Sequence, residues 1–321
     1  MEVDPQDNLK RCDELWYADG TVVLQAGTTL FRVYTGILSQ YSAIFRDLFA
    51  VPQPAVQEQY QGCPLVHLPD TASEVYHLLK VVHDMSFDVS RIRDVTVLGD
   101  ILRISTKYEV REVRTRAINA FRQSYPTVAA EYAMTKNNPH FEPRSCPARR
   151  IYVVNLLRET NTSTLLPAAL LFCCHNDLDE ILHGMAFNGT HVELSAQDKE
   201  IVLMGRHRLT QRARRYSHRT MFYDDPVDWP AATRCKEPKR CYAALSSYLH
   251  RFAISGWLNP LEPPVDEDKD DFCADCHVRQ KRAFDAYFGN IWNNLPSAFS
   301  LPEWGALEET TQLGESLWCT D

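Results

Sequence analysis

The residues with the clearest chemical potential lie in the last third of the chain. Cys235 and Cys241 are separated by five residues, Cys273 and Cys276 by two, and His277 follows directly. A C-x2-C spacing lets two thiolates reach one ion from a single tight turn, as a tetrahedral zinc site requires. The looser pair would supply two further sulfurs across an intervening helix expected over residues 242–254. The expected site is therefore a structural zinc ion held by Cys235, Cys241, Cys273 and Cys276. His277 is an alternative to one thiolate, although donors adjacent in sequence rarely bind the same ion. The competing reading is four buried free thiols, because cysteine is among the most buried residue types and a five-residue spacing is not diagnostic.

Two other clusters invite a functional reading. Cys173-Cys174-His175 follows the apolar Leu170-Leu171-Phe172, which points to core thiols on a buried helix. A nucleophile would need a polarising environment and a separately placed base. Residues 206–219 carry Arg206, Arg208, Arg212, Arg214, Arg215 and Arg219. Val202, Leu209, Ala213 and Tyr216 recur at helical spacing through the same stretch, so the arginines fall on the remaining surface. Charge runs of this kind are usually solvated helix faces, here expected to pair with acidic side chains, and a phosphate- or acid-binding patch is the alternative. The run lacks the interleaved Phe and Tyr expected for single-strand binding. The chain has no glycine-rich phosphate loop, no His-Glu-x-x-His and no serine nucleophile elbow. Nothing in it reads as catalytic, so no enzymatic activity is expected.

Composition narrows the classes further. At roughly 100–200 residues per domain, 321 residues suggest two domains, or three. An apolar content of 45% with 24% charge is that of an ordinary globular chain. The net charge of −8 argues against a whole-chain nucleic-acid binder, which needs clustered positive charge. The opening residues are polar and acidic, unlike a signal peptide, and no apolar run approaches the ~18 residues of a membrane span. The expectation is an intracellular protein of the nucleus or cytoplasm, with no membrane partner and ten cysteines kept as thiols or metal ligands.

The elements at the N-terminal end are the most legible. Thr21 to Leu24 and Leu30 to Tyr34 are short β-branched and apolar runs around Ala26-Gly27-Thr28, the pattern of a β-hairpin. The period then changes to three and four, with Ile37, Leu38, Tyr41, Ile44, Phe45, Leu48 and Phe49 marking helical turns. Residues 50–62 read as a loop, and Leu65 to Leu68 as a strand. Thr71 and Glu74 fit a capping box ahead of a helix whose buried stripe is Val75, Leu78, Leu79 and Val82. Two more helices follow, marked by Val95, Leu98 and Leu102 and by Val113, Ala117 and Phe121.

This pattern resembles the BTB (POZ) domain: Asp19, the strand Val22-Val23-Leu24, Phe31-Arg32-Val33, then Ile37, Leu38, Ser42, Phe45, Leu48 and Phe49. Many members have His where this chain has Tyr34. The details are similar to the large set of BTB proteins in mushroom-forming fungi, through Cys63-Pro64-Leu65-Val66-His67-Leu68 and Ile101 to Tyr108. At His83 to Val89 the chain departs from the Tyr-Thr-Gly-type strand frequent in animal members.

The resemblance covers about the first 125 residues. It implies an α+β fold there, a small sheet flanked by helices; the residues beyond it read as a mostly helical C-terminal region with a Cys-rich lobe. The expected layout is an arm over 1–15, a BTB domain over 16–124, a helical extension over 125–222 and a Cys-rich lobe over 223–321. Within the extension, 148–158 and 165–174 read most clearly as helices, and Ser195-x-x-Asp198 as a helix cap. The function implied is protein–protein interaction: a homodimer that recruits other proteins, either as a substrate adaptor holding a cullin-type ubiquitin ligase or as a transcription-associated scaffold. A nucleic-acid binder using residues 206–219 and the Cys-rich lobe is the alternative.

Overall fold

The computed structural model describes residues 9–51, 58–135, 146–222, 235–254, 256–257, 259–261, 272–308 and 311. The chain divides into two compact units. Among the described residues, one holds 9–124 together with 156–162, and the other holds 125–155 together with 163–311. The second unit takes in most of residues 125–222 and the described residues of 223–311.

The first unit is built on a five-stranded sheet in the order β1-β3-β2-β5-β4. The strands are β1 (Lys10–Trp16), β2 (Val22–Ala26), β3 (Thr29–Val33), β4 (Gln59–Tyr60) and β5 (Cys63–Leu68). β2 and β3 form the expected hairpin in the register Val22↔Val33 to Ala26↔Thr29, with Gly27 at φ 56 in the turn. Positive φ is open to glycine at little cost, which is why the turn sits there. β5 runs parallel to β2. β4 and β5 meet at Gln61 and Gly62, both at positive φ, the backbone of a primed hairpin turn. β1 pairs parallel with β3 along one edge, so Lys10 to Leu15, assigned from sequence to an arm, are part of the sheet. The reading of 50–62 as loop holds no place for β4; residues 52–57 of it lie outside the described residues.

Helices follow in chain order. α1 (Thr35–Tyr41) and α2 (Ala43–Ala50) are separated by Ser42, whose backbone is extended. The Ser42 hydroxyl accepts from the Phe45 amide at 3.0 Å and donates to the Tyr108 carbonyl at 2.6 Å. One buried side chain thus starts α2 and ties it to the end of α4 (Val95–Lys107). Phe45 and Tyr108 stack with ring centroids 4.4 Å apart across the same junction. α3 (Ala72–His83) opens with the capping box read from sequence: Thr71 accepts from the Glu74 amide, and Glu74 reaches back to the Thr71 amide. Between α3 and α4 lies a 3-10 turn, Val89–Arg91. α5 (Arg111–Arg122) completes the layer, with Val113, Ala117 and Phe121 buried.

Among the described residues the second unit is helical, with one small hairpin. Its elements are α6 (Ala129–Thr135), α7 (Pro147–Glu159), α8 (Leu166–Cys173), α9 (Leu178–His183), β6 (Met185–Phe187), β7 (Thr190–Val192), α10 (Ala196–Phe222), α11 (Pro238–Ile254), α12 (Ala274–Asn293) and α13 (Leu295–Ala298). The last turn of α7 belongs to the first unit. Every residue of α8 is buried, as befits a helix apolar on all sides. α10 lays Val202, Leu209 and Ala213 into the core; the side chain of Tyr216, assigned to the same stripe, lies outside the described residues. Ser195 caps α10 by accepting from the Asp198 amide at 3.0 Å. Tyr132, Phe172, Phe288 and Trp292 form an aromatic cluster between α6, α8 and α12. No helix among the described residues is long and apolar enough to cross a membrane.

Candidate metal centre

The four cysteines singled out by spacing meet in space. The sulfurs of Cys235, Cys241, Cys273 and Cys276 all lie within 4.8 Å of one another. Sulfurs about 2.3 Å from a central tetrahedral ion would stand about 3.8 Å apart, and Cys235 and Cys273 already stand at 3.9 Å. All four are free thiols, since a disulfide would bring two sulfurs to about 2.05 Å. His277 lies outside the group; its amide serves the main chain, donating to the Cys273 carbonyl at 2.9 Å.

Local structure explains how segments 38 residues apart converge. Cys241 sits in the first turn of α11 and Cys276 in the first turn of α12, while Cys273 is the N-cap of α12 and Cys235 precedes α11. Two helix N-termini therefore point at the sulfurs. Their unsatisfied amides favour negative charge there. The Cys273 amide donates to the Cys241 sulfur at 3.3 Å, binding one helix start to the other. Arg240 closes the gap from outside, donating to Glu237 at 2.6 Å and to the Phe272 carbonyl at 2.8 Å. This clasp was missed in sequence, because a main-chain carbonyl 32 residues away leaves no pattern to read.

The electrostatics of the group are compatible with a bound cation. The amides of Cys276 and, more weakly, Lys236 hold the Cys273 thiol down at about 6 against its burial. Burial raises the thiols of Cys241 and Cys276, and neighbouring sulfurs push Cys276 further in the same direction. One thiolate thus forms readily and the next are resisted. A divalent cation at the centre removes that resistance, because each further thiolate becomes a ligand. Cys241, Cys273 and Cys276 are 0%, 3% and 5% exposed, whereas Cys235 is partly exposed. Among the described residues this is the group of cysteine, histidine and carboxylate side chains able to hold a metal ion.

The other candidates resolve differently. Cys173 and Cys174 are fully buried core thiols; desolvation raises Cys173 to about 12 and Cys174 higher than its ordinary value. Neither is a nucleophile at neutral pH. His175 packs edge-on against Trp257 and lies 3.3 Å from the Asn259 amide nitrogen.

Three arginines of the run, Arg206, Arg208 and Arg212, donate to the main chain. Arg206 donates to the Asn176 carbonyl just past α8 at 2.7 Å, Arg208 to the Ala298 carbonyl at the end of α13 at 2.9 Å, and Arg212 to the Asn294 carbonyl at the end of α12 at 3.2 Å. Each carbonyl lies at or just past a helix C-terminus, where orphaned acceptors carry partial negative charge and favour a guanidinium. These three side chains serve as internal clasps of the second unit. Arg214 and Arg215 are exposed, and the Arg219 side chain lies outside the described residues. Asp224 and Asp225, like 262–271, also lie outside them.

No family model, curated protein or solved structure matches this chain.

Proposed function

We propose that this chain is a protein–protein interaction scaffold, in which a BTB-type N-terminal unit self-associates and recruits a partner and a structural zinc ion holds the helical unit. The observation carrying this reading is the face of α1 and α2 that the core leaves uncovered. On these helices Leu38 and Phe45 are the buried large apolar side chains. Tyr41 and Leu48 are each 37% exposed and Val51 is 58% exposed, with Ile37, Ile44 and Phe49 half-buried. Ile44 and Leu48 are four apart and share one side of α2, and Val51 is the residue at its C-cap. A contiguous apolar face of this kind on a folded surface marks an interaction site. The order of hairpin, helix pair, parallel strand and capped helix supports the BTB resemblance. That resemblance supplies the partner classes: a second copy in a symmetric dimer, and a cullin-type ligase scaffold.

Light scattering on the full chain tests self-association. The wild type is expected at twice its 36.9 kDa mass, and Leu48→Asp at the monomer mass with unchanged circular dichroism. A wild type that stays monomeric across concentration removes the dimer. A pull-down with the host cullin, beside a known adaptor, separates the ligase role from the scaffold role.

The geometry supports zinc as the ion because four soft thiolates in a closed tetrahedron suit it, with iron the competing metal of an all-sulfur site. The role is structural, with binding energy appearing as folding energy. Elemental analysis of protein purified without chelator should give one zinc per chain. A content below about 0.2 would reduce the four thiols to core residues.

A further inference from the structure

We infer that the four-sulfur centre is a peroxide-sensitive staple, in which oxidation links Cys235 to Cys273 as a disulfide and expels the metal. The inference rests on the zinc reading above and adds a regulation to it.

Three features of the site single out this pair. Access comes first: Cys235 is the partly exposed member, and its three companions are buried. An oxidant arriving from solvent therefore meets the Cys235 sulfur before the others. Proximity is the second: the Cys273 sulfur stands 3.9 Å from that of Cys235, in place to resolve an oxidised intermediate. The third is backbone freedom. Cys235 precedes α11 in non-helical chain, and Cys273 is an N-cap with extended φ −65 and ψ 158. Both residues stand outside the helical turns, and the helical bond they engage is the one the Cys273 carbonyl accepts from the His277 amide, so the pair can close to about 2.05 Å by side-chain rotation. Cys241 and Cys276, by contrast, lie within the first turns of α11 and α12, where the same movement would unwind a turn.

The chemistry balances with hydrogen peroxide as oxidant. The Cys235 thiolate attacks one peroxide oxygen, a sulfur–oxygen bond forms, the oxygen–oxygen bond breaks, and hydroxide leaves. The Cys273 thiolate then attacks the Cys235 sulfur, the sulfur–sulfur bond forms, and a second hydroxide leaves. Two sulfurs have together lost two electrons, both peroxide oxygens have gained them, and solvent protons neutralise the two hydroxides. The ion is left with Cys241 and Cys276 alone and dissociates. The two segments stay joined, now covalently, so oxidation exchanges a four-armed metal tie for a single link and frees the first turns of α11 and α12 from the ion.

The test uses the full chain loaded with zinc. Hydrogen peroxide is added in small equivalents beside a colorimetric zinc chelator, with a sulfenic-acid trap in a parallel sample and a non-reducing peptide map at the end. The expected result is one zinc released per chain, trapping at Cys235 about tenfold faster than at Cys241, Cys273 or Cys276, and a Cys235–Cys273 linked peptide. A dithiol reductant with added zinc should restore the starting state. Retention of zinc while the partly exposed Cys12 and Cys146 are oxidised overturns the inference and leaves the zinc reading standing. A Cys273–Cys276 link in place of the inferred one also overturns it. A chain that holds no zinc before peroxide is added overturns both.

Discussion

Gly205 is where one added methyl group probes the packing of the second unit. It lies inside α10, and a Cβ placed there would stand 2.3 Å from Cδ1 and Cε1 of Phe299 and 3.3 Å from Cζ. Carbon contacts are comfortable at about 3.5–4.0 Å, so the ring must move by about an ångström. Phe299 is fully buried, just after α13, so the ring has to move within the core. Overpacking of this kind costs about 1–3 kcal/mol, while replacing a mid-helix glycine by alanine returns about 1 kcal/mol. Gly205→Ala should therefore destabilise by about 1 kcal/mol, reaching about 2 if the ring cannot turn. Phe299→Ala alone should cost about 3–5 kcal/mol. In that background the obstacle is gone, and adding Gly205→Ala should stabilise by about 1 kcal/mol. The sign reversal is the signature, a coupling of about 1–3 kcal/mol between touching residues. Urea titration followed by tryptophan fluorescence reads it, since Trp292 and Trp304 stack at 5.7 Å in the same unit. Thermal midpoints should move by about 2–4 °C per kcal/mol for a unit of this size. The reasoning is refuted if Gly205→Ala stabilises the wild type, or has the same effect whether or not the ring is present.

Ser42→Ala removes the cap of α2 and the bond to the Tyr108 carbonyl together, and should cost about 1–2 kcal/mol in denaturant titration. Ser73→Ala, which loses only an exposed bond to Asp100, should be near neutral and serves as the control. His83 stacks on Tyr17 and Tyr34, and burial lowers its pKa, so the folded state favours the neutral ring. The unfolded chain then binds the proton more readily, and stability should fall as pH drops below about 6.5. His83→Leu should flatten that part of a stability–pH profile, and an unchanged profile would remove His83 as its cause. Cys241→Ser should release the metal and lower the unfolding midpoint of the second unit while the first unit's far-UV signal persists; a single shifted transition for the whole chain would contradict a local role.

What the sequence determined by itself was local. The hairpin over β2 and β3 was legible because alternation, β-branching and a glycine turn are properties of adjacent residues. The start of α3 was legible because a capping box closes within three positions, and the α1–α2 turns because helical periodicity repeats every few residues. The C-x2-C half of the metal centre was legible for the same reason. Tertiary structure decided whatever depends on partners far along the chain. Lys10–Trp16 carries the adjacent charges Lys10-Arg11 and Asp13-Glu14 with no alternating apolar pattern, and becomes a strand because the β3 edge offers a ladder. Cys235 and Cys241 join the centre because two helix starts converge across a separation of 38 residues, a fact no spacing rule contains. The arginines of α10 looked like a solvated or anion-seeking face because side-chain type alone names the donor. Arg206, Arg208 and Arg212 instead donate to carbonyl oxygens at helix C-termini, which every residue possesses and no sequence motif marks.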